Sequence, residues 1–138
     1  MDRKATMLSS VPLFAGLGNK QLGEIERLAD EVSVKAGKVL AKEGAPAHEF
    51  FVILDGSVEI ARAGKRLRTL GAGDFFGEIA LIGKIPRTAT ATAVAPTDLL
   101  VVGHREFTTL LANHQAIRDK VLMNVATWVA TASPEQAH

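Results

Sequence analysis

At 138 residues the chain is long enough for a single domain that buries its own core without covalent staples. Its 47% hydrophobic and 22% charged residues are those of a globular protein, and a net charge of +1 excludes a general polyanion binder. Zero cysteines exclude disulfides, thiol catalysis and thiolate metal sites, and no stretch has the long apolar core of a signal peptide or membrane span, so a cytoplasmic protein is expected.

Met1 to Ser10 is a mixed lead-in, followed by Pro12, Leu13, Phe14 and Leu17. From Asn19, Leu22, Ile25, Leu28 and Ala29 recur at spacings of three and four, which predicts an amphipathic helix with Asn19 as its N-cap. Beyond Glu31 the period shortens. Val32 and Val34 alternate with Ser33 and Lys35, and Val39-Leu40 opens another short strand. Phe50 to Leu54 is a continuous apolar run that predicts a buried strand, ended by the turn pair Asp55-Gly56, with Val58 to Ile60 as hairpin partner. Leu67 to Leu70, Thr88 to Val94 and Leu99 to Val102 read as further strands. Short strands with glycine turns between them predict an antiparallel sandwich or barrel. After Gly103 the period is helical again, through Phe107, Leu110 and Leu111, then from Ile117 past Trp128 to Ser133-Pro134. The expected organisation is one domain over 1–138: a helical segment at 1–30, a β-roll at 31–103, helices at 104–132 and a tail at 133–138.

The chemistry concentrates between Phe75 and Thr92, FFGEIALIGKIPRTATAT. Gly77 to Gly83 reads as a turn or two of helix whose first backbone N–H groups, near Ile79 and Ala80, have no intrahelical partner and favour an anion. Arg87, brought back by Pro86, is suited to bidentate contact with a phosphate, and Thr88 adds a hydroxyl. Glu78 does not suit the same anion; its carboxylate is better matched to hydroxyls such as those of a ribose. Taken singly, either charge reads most simply as a solvated surface residue. Together with Gly77, Ala80 and Thr88-Ala89-Thr90 they describe the two ends of a nucleotide.

Phe76-Gly77-Glu78-Ile79-Ala80-Leu81, followed by Pro86-Arg87-Thr88-Ala89-Thr90, resembles the phosphate-binding cassette of the cyclic nucleotide-binding domain family. The resemblance runs from about Leu8 to Ala132. It implies a mainly β fold with α: an eight-stranded antiparallel β-roll, cassette at 75–90, with an N-terminal helix and two C-terminal helices. It implies that Glu78 holds the ribose 2′-hydroxyl and Arg87 the cyclic phosphate. Phe76, Gly77, Ile79, Ala80 and Ala89 would complete the cassette, and Thr88 would offer its hydroxyl to phosphate or base. Ile60, Arg68 and Leu70 are candidates for the wall around the base, although Arg68 reads more readily as a surface strand residue. Trp128 is either a lid over the base or a core residue. Cyclic AMP is the expected ligand and cyclic GMP the alternative, since the family carries a threonine at the Thr88 position with either purine.

A cupin-like metalloenzyme needs histidines converging on one ion, and His48, His104, His114 and His138 show no paired spacing. No nucleophile motif or Walker loop is present, so no enzyme activity, cofactor or metal is expected. DNA-binding relatives append a helix-turn-helix, for which nothing follows Pro134, and no basic stripe marks a DNA face. A degenerate domain that has lost its ligand would most easily have lost Glu78 and Arg87. The expectation is a regulatory module acting through its last helix on an effector that the sequence leaves unidentified, as it does the oligomeric state.

Overall fold

The computed structural model describes residues 7–130. A 3₁₀ turn at Pro12–Phe14 leads into helix α1, Asn19–Leu28. Eight strands follow: β1 Asp30–Val34, β2 Val39–Ala41, β3 Glu49–Asp55, β4 Ser57–Arg62, β5 Lys65–Gly71, β6 Phe75–Phe76, β7 Thr90–Ala93 and β8 Thr97–Gly103. Helix α2, Glu78–Gly83, interrupts them after β6, and helices α3, His104–Asn113, and α4, Gln115–Ala130, follow β8. The strands form two four-stranded antiparallel sheets, ordered β1-β8-β3-β6 and β2-β7-β4-β5. This is the β-roll flanked by helices that the sequence pattern and the family resemblance led us to expect.

The apolar run of β3 has a specific reason for lacking alternation. Phe50, Val52 and Leu54 point into one core, shared with Phe14, Ile25, Phe107, Leu110, Ile117 and Val121 of the helical segments. Phe51 and Ile53, from the opposite face of the same strand, enter a second core with Val58, Ile60, Leu70 and Leu99 between the sheets. A strand covered by helices on one side and a sheet on the other must be apolar at both parities. Replacing Phe50, where three aromatic rings meet, by alanine would cost about 3–5 kcal/mol.

The second sheet is covered on one face only, and its strands alternate. In β7 the alanines Ala91 and Ala93 are buried while Thr90 and Thr92 are less so. Small inward residues leave unfilled space beneath β7, and that space becomes the cavity described next.

Two local details differ from the sequence reading, and a third lies beyond the described residues. The N-cap of α1 is Gly18 rather than Asn19, because the side chain of Gln21 reaches back and accepts the Gly18 N–H at 2.7 Å, satisfying the cap from the third helical position. Strand β7 begins at Thr90 rather than Thr88, the two preceding residues forming a bend at the cavity rim. The end of α4 near Ser133-Pro134 and most of the Met1–Ser10 lead-in lie outside the described residues.

Candidate functional site

Gly77 sets the geometry of the cassette. It adopts φ +97°, in the left-handed region that costs an L side chain strain, and turns the chain from β6 into α2. A Cβ here would stand 2.9 Å from Arg87 Nη1 and 3.0 Å from the Glu49 carbonyl oxygen. Only glycine lets these three segments close on one another. The register of β6 on β3 brings this about, with Phe76 opposite Phe51 and their rings stacked at 4.7 Å between centroids.

Arg87 is buried, 7% exposed. Its Nη2 donates to the Glu49 carbonyl at 2.7 Å and its Nη1 to the Gly77 carbonyl at 3.2 Å, with the guanidinium carbon 5.8 Å from the Phe51 ring centroid. Burial lowers its affinity for the proton, and the carboxylates of Glu49 and Glu78 act in the opposite direction. A guanidinium carries more donors than these two carbonyls use, and Arg87 lines the cavity.

Glu78, the first residue of α2, is 2% exposed. Its Oε1 accepts a hydrogen bond from Asn124 Nδ2 of α4 at 2.7 Å, whereas its Oε2 is buried with no hydrogen-bond partner. Burial pushes its pKa above the ordinary 4.5; its own backbone N–H, Asn124, and the charges of Arg68 and Arg87 oppose the rise. Glu78 and Arg87 interact through space and form no direct ion pair. Two ionisable groups are thus buried around a common cavity rather than against one another.

That space is an open cavity whose volume, mouth included, is about 810 Å³. Phe76, Gly77, Glu78, Ile79, Ala80, Arg87, Thr88, Ala89, Ile60 and Trp128 all line it, so ten of the sequence-derived site residues are brought together. Leu70 is not among them. It is buried in the second core and lines a neighbouring cavity. Arg68 pairs across the sheet with the inward-facing Ile60 and borders both cavities.

The sequence reading missed Asn124 and Thr127, which face the cavity from α4, and the small floor residues Ala41 and Ala91. A lone asparagine in an apolar helix is the one signal that could have singled out Asn124. Trp128, half-buried over the cavity, is a wall residue rather than part of either core. Among the described residues no cluster of His, Asp and Glu is arranged to hold a metal; His114 is turned to Glu24, Nε2 to Oε2 at 3.3 Å.

Residues 31–114 match the family model described as the cyclic nucleotide-binding domain. The chain is 36% identical over 117 residues to a cyclic nucleotide-gated potassium channel of Mesorhizobium japonicum, covering 85% of this chain and 32% of the channel. It is 35% identical over 111 residues to a cGMP-dependent protein kinase of Toxoplasma gondii, covering 80% of this chain and 11% of the kinase. In structure it resembles cAMP-bound PfPKA-R, with a TM-score of 0.80, 27% identity, and coverage of 89% of this chain and 43% of the other. The chain therefore spans a third or less of the length of these two curated relatives.

Proposed function

Because the chain belongs to the cyclic nucleotide-binding domain family, we propose that the cavity between the cassette and α4 takes a 3′,5′-cyclic purine nucleotide, cyclic AMP first. The domain is a regulatory cyclic nucleotide-binding module. Arg87 supplies the cation for the cyclic phosphate, helped by the Thr88 hydroxyl and by the backbone of Gly77, Ile79 and Ala80. Glu78 accepts the ribose 2′-hydroxyl. Phe76, Ile60 and Ala89 shape the apolar wall, and Trp128 stacks on the base, worth on the order of 1–3 kcal/mol. Leu70 has no contact in this reading, since it lines the neighbouring cavity instead.

The observation that carries the proposal is the buried, separated pair Glu78 and Arg87, facing one cavity with unused hydrogen-bonding capacity on both. Burying charges that do not neutralise each other is costly, and a ligand with a hydroxyl at one end and an anion at the other offsets that cost. The site binds and does not transform its ligand. Closing α4 over the base passes the signal to an attached or docked effector in the cytoplasm; the ligand biases α4 by its differential affinity for the two positions.

Titration calorimetry with cyclic AMP, cyclic GMP and 5′-AMP tests this reading. Cyclic AMP is expected to bind tighter than cyclic GMP, and 5′-AMP, with its second phosphate charge and open ring, far more weakly. Absence of heat with both cyclic nucleotides, in folded protein freed of copurified ligand, would rule the reading out.

A further inference from the structure

Helix α4 is held in two different ways along its length. Its first half is buried by packing: Ile117 and Val121 are fully enclosed in the larger core, and Lys120 Nζ donates to the Pro12 carbonyl at 2.8 Å. Beyond Val121 no residue of the helix is buried, although this is the half that covers the cavity. Leu122, Met123 and Val129 are exposed, so apolar packing does little to fix it there.

A polar contact links this half to the cassette. Asn124 Nδ2 donates to Glu78 Oε1, two residues 46 positions apart in sequence. An ionised acceptor strengthens such a bond relative to a neutral one. The other carboxylate oxygen, Oε2, is buried and has no partner. A carboxylate accepts on both oxygens at once, so a donor arriving at Oε2 need not displace Asn124.

We infer that Asn124 is a positioning residue that divides the Glu78 carboxylate between two tasks, holding Oε1 for the last helix and leaving Oε2 for a ligand hydroxyl. The inference rests on the cyclic-nucleotide reading for its ligand half and on the geometry of the unliganded chain for its helix half. Glu78 then joins the ligand to α4 directly. A hydroxyl on Oε2 favours the ionised carboxylate, the ionised carboxylate binds Asn124 more strongly, and the helix closes. By linkage the closed helix raises affinity for the ligand by the same factor.

Amide hydrogen exchange on the full chain without ligand, combined with cyclic-nucleotide titration, separates the two tasks. Asn124→Leu is expected to speed exchange across residues 122–130 at least tenfold, to leave 115–121 protected, and to weaken the nucleotide by no more than about tenfold. Glu78→Gln keeps an amide oxygen for Asn124, so α4 is expected to stay protected while nucleotide affinity falls by a hundredfold or more. Asn124→Ala, which removes the donor without adding a charge, should loosen the helix as Asn124→Leu does and covers the case in which the leucine variant does not fold. Exchange within twofold of wild type in folded Asn124→Leu and Asn124→Ala would overturn the inference. A wild-type chain that binds no cyclic nucleotide would remove the ligand reading, while the exchange comparison would still decide whether Asn124 holds the helix.

Discussion

Two of the places where this molecule buries polar groups do so to opposite ends. At the corner where β8 begins, Thr97 is 2% exposed, and its hydroxyl is fully occupied: Oγ1 accepts the Ser57 N–H at 3.1 Å and donates to the Ala95 carbonyl at 2.9 Å. Gly56 closes the corner at φ +113°, with its Cα so near the neighbouring chain that a Cβ would lie 2.7 Å from the Pro96 carbonyl oxygen. At the cassette, Glu78 is equally buried, yet one of its oxygens has no partner, and Arg87 keeps donors in reserve. A satisfied buried group stabilises the fold, whereas a half-satisfied one is held ready for something from outside. The corner is satisfied and the cassette is not, and burial alone does not distinguish them.

Substitutions should therefore separate folding from binding. The largest effect is expected from Arg87→Ala, which should cost about 2–5 kcal/mol of nucleotide binding by calorimetry if the phosphate pair is desolvated. It should also lower the melting temperature, because the Glu49 and Gly77 carbonyls lose their donor. Gly56→Ala should come next, costing about 3 kcal/mol in denaturant unfolding through left-handed strain and backbone contact. Any folded fraction of that variant should bind nucleotide like wild type. Thr97→Val should cost about 1–3 kcal/mol, the penalty for leaving the Ser57 N–H unpaired, again with binding intact. A loss of affinity in either corner variant would break the distinction.

The smallest effect has the opposite sign. Burial raises the Glu78 pKa in the folded chain above its unfolded value, near 4.5. The stability it contributes is thus fully present below that unfolded value and is lost as pH rises through the raised folded one. Glu78→Gln removes this dependence. Without ligand it should melt slightly higher than wild type at neutral pH, with the gap closing in acid, as thermal melts across pH would show. A wild-type chain that gains stability from Glu78 as pH rises would contradict the picture of a carboxylate kept costly for its ligand.

Several features were legible because they are local. The turn pair Asp55-Gly56, the apolar run from Phe50 to Leu54 and the sequence from Phe76 to Thr90 each carry their own conformational signal within a few residues. The Glu78 and Arg87 pairing was legible for the same reason, since both lie on one short segment around Pro86. Asn19 misled because Gln21, three positions on from Gly18, satisfies the cap there, and the sequence did not show that Leu70 would line a neighbouring cavity.

By itself, then, the sequence determined the roll, the helices and the family, because periodicity and turn chemistry are properties of neighbouring residues. Only the tertiary structure decided that Arg87 is fixed by the Glu49 and Gly77 carbonyls, that Trp128 lies over a cavity and that Asn124 reaches Glu78. Glu49 and Asn124 are 38 and 46 positions from their partners Arg87 and Glu78, and although Asn124 stands out among the apolar residues of its half-helix, the sequence does not say which group it meets. Residue type sets what Glu78 can accept; the packing of α4 on the roll sets which of its oxygens is left open.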